Sequence, residues 1–217
     1  FRPSYQISET RVVTRSKFLC LAVQQYRIME YVLLKRLITS TLLLVGLVAC
    51  SAGGPYVPSA QSSGVTRSYD VVAFTFFAPD DLSVSESLEY YPIADIVWRG
   101  DPLGPRIPQI AAMFETAVER NEAQLDGVVP AAVDVSLIRF HGVTDRTRYS
   151  FGGVYNIVFA LTVLDARTGE ILEPTRRISA NLDAPGRSEA VALEEEGQTQ
   201  KVRVTDFLTA VLLAELT

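Results

Sequence analysis

The side chains best suited to catalysis are scarce in this chain. His141 is the only histidine, so a Ser-His-Asp catalytic triad would have to be built around this one residue. The Gly-x-Ser-x-Gly motif that carries a serine nucleophile is absent. Metal sites need clusters of His, Cys or carboxylate at defined spacing, and the successive acidic residues 194–196 point in different directions on a helix. We therefore expect no enzyme activity, no catalytic residue, no metal and no cofactor, with His141 a structural residue of a strand.

The thiol of Cys50 is the side chain whose surroundings most clearly indicate chemistry. Lys35 and Arg36 precede residues 37–49, an uncharged and mostly apolar run of 13 residues. This run is shorter than the ~20 residues that cross a bilayer as a helix, and it is typical of the apolar region of a secretory signal. Its end is similar to the lipobox of bacterial lipoprotein precursors. This similarity predicts that Cys50 is the residue that is lipidated. The residues expected to be recognised by the signal peptidase are Leu47, Val48 and Ala49.

The lipobox predicts how the chain is divided and where it is located. Residues 1–28 are expected to be an upstream or mis-started segment, and 29–49 a lipoprotein signal peptide. Residues 50–68, rich in Gly, Ser, Pro and Ala, are expected to be the lipidated cysteine and a flexible tether to a single domain over 69–217. Acyl chains, at ~0.8 kcal/mol per buried methylene, would anchor the protein in the membrane. Ser51, where an aspartate would favour the inner membrane, favours the periplasmic face of the outer membrane.

Arginines and aromatics alternate in one stretch, "TDRTRYSFGG" (144–153). Both residue types are favoured at interface hot spots. One interpretation is a site for an acidic partner or for a lipid or sugar phosphate, and the other is a solvated hairpin loop whose aromatics fold back onto the sheet edge. The candidate partner-binding residues are Arg146, Arg148, Tyr149 and Phe151.

The tripeptide Arg99-Gly100-Asp101, an integrin-binding motif in animal adhesion proteins, follows the only tryptophan, Trp98. Glycines and prolines surround it and set sharp turns. We therefore predict a structural corner between the first strand region and the first helix, with Trp98 buried. Integrin is not an expected partner, and replacing Asp101 by glutamate is expected to matter little.

Composition excludes one class of partner. Residues 1–49 carry seven Lys and Arg and two Asp and Glu, which leaves 13 basic and 23 acidic residues in 50–217, a net charge of −10. A domain this acidic is a poor candidate for binding nucleic acid. With Cys50 lipidated, residues 50–217 hold no cysteine for a disulfide or a thiol nucleophile.

Hydrophobic periodicity predicts the elements of the domain. The order is β-α-β-β-β-α, which indicates an α+β two-layer sandwich: a mixed sheet of about four strands with both helices on one face. Residues 82–91 are either a short strand or irregular, and Gly197 is a candidate break in the last helix. The predicted strands cover 69–77, 132–141, 154–164 and 175–183, and the predicted helices cover 107–125 and 188–216.

Several stretches carry a resemblance to a known family. They are "LSVSE" (82–86), "DIVWRGDPLGPR" (95–106), "IRFHGVTDRTRYSFGGV" (138–154), "LDARTGE" (164–170) and "GQTQKVRVTDFL" (197–208). Together with the lipobox, they resemble a family of small bacterial envelope lipoproteins of unknown function. The resemblance implies an envelope lipoprotein with a shared fold, and it implies no activity and no catalytic residues.

Two functions follow as expectations. The first is a lipid-anchored, non-enzymatic envelope protein that binds another envelope protein as an accessory or assembly factor in the periplasm. The alternative is a binder of a lipid or small amphiphilic ligand, with Tyr155, Phe159 and the aromatic-rich first strand as one wall of a pocket.

Overall fold

The computed structural model describes residues 67–217. The predicted peptidase and lipidation sites at Leu47, Val48, Ala49 and Cys50, and most of the predicted tether, lie outside these residues. The strands are β1 (Tyr69–Phe77), β2 (Ile96–Val97), β3 (Val129–His141), β4 (Gly153–Asp165) and β5 (Ile171–Ala184). The helices are α1 (Arg106–Asn121), α2 (Asp145–Arg148), α3 (Arg187–Glu195) and α4 (Gln200–Leu216), and a 3-10 turn at Glu122–Gln124 follows α1.

The sheet is mixed, with the order β1-β3-β4-β5. β1 and β2 both pair in parallel with β3, β1 along residues 129–136 and β2 at Phe140 and His141. β3, β4 and β5 form an antiparallel meander. The crossover through α1 explains the parallel pairing of β1 with β3, since parallel neighbours need a long connection.

One face of the sheet is covered by helices. Alternate residues of β3 and β4 are buried in the same core as the apolar faces of α1 and α4, because successive strand residues point to opposite faces. The two helices also contact each other: Asn121 Nδ2 donates to the Thr209 carbonyl oxygen at 2.8 Å, and Arg120 Nη1 lies 2.5 Å from Asp206 Oδ1. The sandwich thus has one layer of strands and one of helices.

The α+β fold with its open sheet and helices is confirmed, and the differences are local. The helix predicted over 107–125 ends at Asn121, and the segment predicted at 188–216 divides at Gly197, whose φ of 79° is accessible mainly to glycine. Residues 82–91 form no strand beyond an isolated bridge at Val84, and β2 arises in the Pro- and Gly-rich segment instead. Among residues 67–217, no helix combines the length and apolar character needed to cross a membrane.

The two ends of the sheet differ in what they hold. β1 begins at Tyr69, beside Val129 at the start of β3, so the chain enters the domain there. β3 has 13 residues and ends at His141. At roughly 3.3 Å per residue, about 40 Å therefore separates the entry of the chain from the end of β3. We call these the entry end and the far end of the sheet.

Candidate functional site

The far end of the sheet holds the loop formed by residues 87–94. His141 Nε2 lies 3.0 Å from the carbonyl oxygen of Pro92. The hydroxyls of Thr144 and Thr147 donate to two other carbonyls of the same loop, at 2.8 and 2.5 Å. All three side chains are buried. A loop with so many of its backbone acceptors satisfied by buried donors is held in one position.

The segment between β3 and β4 contains the single-turn helix α2. Thr144 caps it, because its hydroxyl accepts from the backbone N–H of Thr147 at 3.2 Å. The chain leaves α2 through Gly152, whose φ of 77° suits glycine. A Cβ there would also lie 2.4 Å from the Ala184 carbonyl oxygen, so the turn packs directly against the end of β5.

Four exposed aromatic side chains, which we call the aromatic rim, surround α2: Tyr90, Tyr91, Tyr149 and Phe151. The Tyr90 ring stacks on Phe151 with centroids 5.2 Å apart, and the Arg146 guanidinium lies 4.1 Å from the Tyr90 centroid. Hydrogen bonds from Arg146 and then Ser150 hold the pKa of the Tyr90 phenol below its usual value. Arginine and tyrosine together make this rim suited to binding another molecule.

Arg148, one of the candidate partner-binding residues, has a side chain that points inward. Arg148 is 6% exposed, and its Nη2 lies 2.5 Å from Glu194 Oε1 and 3.4 Å from the Ala190 carbonyl oxygen in α3. Its guanidinium also lies 5.5 Å from the Tyr149 centroid. Arg148 therefore ties α2 to α3, whereas Arg146, Tyr149 and Phe151 are exposed.

A groove of about 590 Å³ adjoins the aromatic rim. Its volume falls in the range of about 300–1,000 Å³ that is common for small-ligand sites. Tyr90, Tyr91 and Phe151 contribute aromatic rings to its lining, and Val143 and Val154 contribute aliphatic groups.

The floor of the groove is a polar row across three strands. His141 pairs with Asn156, which pairs with Asn181, so the three side chains lie on one face of β3, β4 and β5. Their strand neighbours Phe140 and Ile157 point into the core, so the row lies on the face opposite the helices. Asn156 Nδ2 donates to Asn181 Oδ1 at 2.8 Å. The groove thus combines aromatic walls with an amide floor.

The pocket wall predicted at Tyr155 and Phe159 does not exist. Both side chains are at most 1% exposed and face the helices. Tyr155 donates its hydroxyl to Gln200 Oε1 at 2.7 Å, and burial raises its pKa to about 12. The ring of Phe159 packs edge-on against Phe114. These aromatics build the core, and the groove lies on the other face of the sheet.

The Arg-Gly-Asp tripeptide is a structural corner, as predicted. Trp98 is 0% exposed and packs edge-on against Phe140. The indole Nε1 donates to Asp101 Oδ2 at 2.8 Å, and Lys201 Nζ lies 2.7 Å from Asp101 Oδ1. A Cβ on Gly100 would lie 2.2 Å from the indole, so only glycine fits there. The expectation that Asp101→Glu matters little is revised, because the carboxylate links the indole to α4.

Glu86 joins this corner to the segment before β2. It accepts from Arg106 Nε at 2.7 Å and Nη2 at 3.0 Å, and it lies 2.9 Å from Arg99 Nη1. The hydrogen bond from Arg106 lowers the pKa of Glu86 and raises that of the guanidinium. The side chain of Arg99, the arginine of the tripeptide, is thus buried and bonded within the domain.

The entry end of the sheet holds a cluster of charged side chains. Glu173 accepts from Arg67 Nε at 2.6 Å and from the Tyr69 hydroxyl at 2.8 Å, and Arg176 lies 3.5 Å away. Arg176 also pairs with Glu215 of α4 at 3.2 Å. Burial on its own would raise the pKa of the Glu173 carboxyl, because it disfavours the charged form. The hydrogen bonds from Arg67 and Tyr69 outweigh this effect, so the pKa of Glu173 is lowered. Burial raises the pKa of Tyr69 to about 12. This cluster fastens the entering chain to β5.

Sequence reasoning missed the residues that complete the aromatic site. Tyr90 and Tyr91 lie in a segment that has no hydrophobic periodicity. Only the contact of Tyr90 with Phe151 and that of Tyr91 with His141 place them at the aromatic site. The alternation of β4 and β5 places Asn156 and Asn181 on the face away from the core, but nothing in it predicts that they meet across the two strands. The usable signal was the local density of exposed aromatics in "LEYYPI" beside Pro92.

Several solved structures are similar to this chain. A protein of Xanthomonas campestris from the family DUF330 shares 13% identity over 73% of this chain and 93% of its own, with a TM-score of 0.35. A candidate lipoprotein of Caulobacter crescentus CB15 shares 16% identity over 48% of this chain and 82% of its own, with a TM-score of 0.23. No curated protein matches the chain.

The sequence profile of a family of unknown function matches residues 69–217, from the first residue of β1 to the end of α4. The expectation of a family without an assigned activity is therefore confirmed over the whole folded domain. The chain belongs to the family of unknown function DUF6778.

Proposed function

We propose that this protein is a lipid-anchored lipoprotein of the bacterial envelope, held at the periplasmic face of the outer membrane. The support lies in the sequence order: a positive pair, an apolar run, and Leu47-Val48-Ala49 before Cys50. The family match begins at Tyr69. Residues 50–68 therefore have the length and composition of a tether between an acylated cysteine and the domain.

The proposed role of the domain is to bind an envelope protein as a non-enzymatic accessory or assembly factor. The observation that carries this proposal is the aromatic rim, with Arg146 stacked on Tyr90 at the far end of the sheet. The length of β3, about 40 Å, separates this end from the point where the chain enters the domain. An anchored domain can therefore present the rim away from its anchor. Integrin binding is no part of the proposal, because Arg99 and Asp101 are engaged within the fold.

The second candidate function is binding of a lipid or small amphiphile. The observation that favours it is the apolar part of the groove, formed by the rings of the rim with Val143 and Val154. Such a ligand would copurify with the protein and be released by organic solvent, and mass spectrometry would identify it. A protein partner would instead be retained on the immobilised lipoprotein.

Radioactive palmitate tests the anchor. Wild-type cells should incorporate the label into the protein, and Cys50→Ser should abolish both the label and membrane retention. A labelled, membrane-bound Cys50→Ser protein would refute the lipoprotein assignment.

Photocrosslinking tests the partner in the intact envelope. A crosslinker placed at Tyr149, which is exposed beside α2, should capture one protein, whereas the same crosslinker at Arg167 in the β4–β5 hairpin should not. Equal capture from both positions would contradict a specific protein-binding rim.

A further inference from the structure

We propose that the groove at the far end binds a neutral carbohydrate, such as an oligosaccharide of envelope glycans. The groove shares Tyr90, Tyr91 and Phe151 with the aromatic rim, whereas Arg146 and Tyr149 lie outside its lining. A carbohydrate there would take the place of the lipid or amphiphile of the second candidate function. The proposal rests on the geometry of two aromatic rings and of three polar side chains.

Two rings of the groove are flat platforms supported from behind. Tyr91 stacks on His141 with centroids 4.4 Å apart and planes inclined by 29°. Phe151 stacks on Tyr90, which is itself covered by Arg146. Each platform nevertheless remains about two-thirds exposed, Tyr91 at 66% and Phe151 at 65%. A ring that is fixed on one face and open on the other loses little entropy when a ligand stacks on it.

The polar side chains Asn156, Asn181 and Asp183, which line the same groove, offer both donors and acceptors. The bond from Asn156 to Asn181 uses one N–H and one oxygen. Within residues 67–217, the remaining carbonyl lone pairs of Asn156, the amide N–H groups of Asn181 and the carboxylate of Asp183 have no side-chain partner. Because an amide or carboxylate covered by a ligand needs a new hydrogen bond, the occupant must supply donors and acceptors together.

The hydroxyl groups of a sugar do both, and its ring C–H groups fit an aromatic face, whose quadrupole is negative. An acyl chain would displace water from the amides and from Asp183, and it has no polar group to replace the hydrogen bonds that they make to water. A phosphorylated ligand would meet the Asp183 carboxylate with like charge. A proline-rich peptide would fit the aromatic platforms but would offer few donors to the floor. The observations therefore favour a neutral sugar.

The experiment is calorimetric titration of the full protein in a detergent without a sugar headgroup. The probes are the tetramer of N-acetylglucosamine, cellotetraose and maltotetraose, with adenosine and a proline decamer as comparators. At least one tetrasaccharide should bind saturably with a Kd of about 1 mM or tighter, and neither comparator should match it. Tyr91→Ala and Asn181→Ala should each weaken binding about tenfold or more. Tyr149→Ala, an exposed aromatic outside the groove, should leave it unchanged.

Melting temperatures of the variants establish that they are folded, and both replaced side chains are exposed. No tetrasaccharide binding up to about 10 mM would overturn the proposal, as would binding that both groove variants leave intact. Stronger binding of adenosine or of the proline decamer would overturn it as well. Capture of a protein at Tyr149 tests the proposed function separately, so either proposal can fail alone.

Discussion

The indole N–H of Trp98 donates to the carboxylate of Asp101 three residues later, at 2.8 Å, and the same carboxylate lies 2.7 Å from Lys201 Nζ. The largest fully buried side chain among the described residues is therefore bonded to the third residue of the Arg-Gly-Asp tripeptide. Because Lys201 belongs to the first turn of α4, this contact joins the corner before α1 to the last helix of the chain.

We expect Trp98→Ala to lower the free energy of unfolding by about 3–5 kcal/mol, since it removes the largest fully buried side chain. Asp101→Ala should cost about 1–3 kcal/mol because it leaves the indole N–H without its acceptor. Asp101→Asn should cost less, because the amide oxygen still accepts from the indole. Urea denaturation followed by circular dichroism measures all three, and an Asp101→Ala protein as stable as wild type would contradict this account.

Two arginines of one helical turn should behave in opposite ways. Arg148→Ala removes a buried guanidinium together with its ion pair to the half-buried Glu194, and should lower the free energy of unfolding by about 1–3 kcal/mol. Arg146→Ala removes an exposed guanidinium and should change stability by no more than about 0.5 kcal/mol. In the crosslinking assay, Arg146→Ala should reduce partner capture from Tyr149. Loss of stability in Arg146→Ala would show that its contact with Tyr90 is structural instead.

The comparison of these arginines shows where prediction from sequence stops. The alternation in β4 and the helical spacing of α1 determine which residues reach the core, so the α+β sandwich could be predicted from them. Nothing in "TDRTRYSFGG" distinguishes Arg146 from Arg148, because Glu194 is distant along the chain. β2 was missed for the same reason: its two residues are ordered by pairing with the end of β3, not by their own pattern.

The charged cluster at the entry end should make stability depend on pH. The folded-state pKa of Glu173 is lowered below the ordinary value of 4.5, so its contribution to stability is full above that value. This contribution is lost as the pH falls through the lower, folded-state pKa. We expect the free energy of unfolding of wild type to decline below about pH 4.5, and Glu173→Gln to decline less steeply. Denaturation at a series of pH values measures this, with Glu170→Gln in the exposed hairpin as the control that should follow wild type.

The loop that carries Tyr90 and Tyr91 should depend on its three buried anchors. Thr147→Val keeps the shape of the side chain but removes the hydroxyl that donates to the Tyr90 carbonyl at 2.5 Å. Because the carbonyl then needs water, we expect faster hydrogen exchange of the backbone over residues 87–94, and a loss of about 1–2 kcal/mol in the free energy of opening. Thr116→Val, on the exposed face of α1, is a matched control that should leave exchange in this loop unchanged. If Thr147→Val also leaves the exchange unchanged, the loop is held by its other anchors, Thr144 and His141. His141 both bonds to the Pro92 carbonyl and stacks on Tyr91, so His141→Ala should then release the loop where Thr147→Val did not.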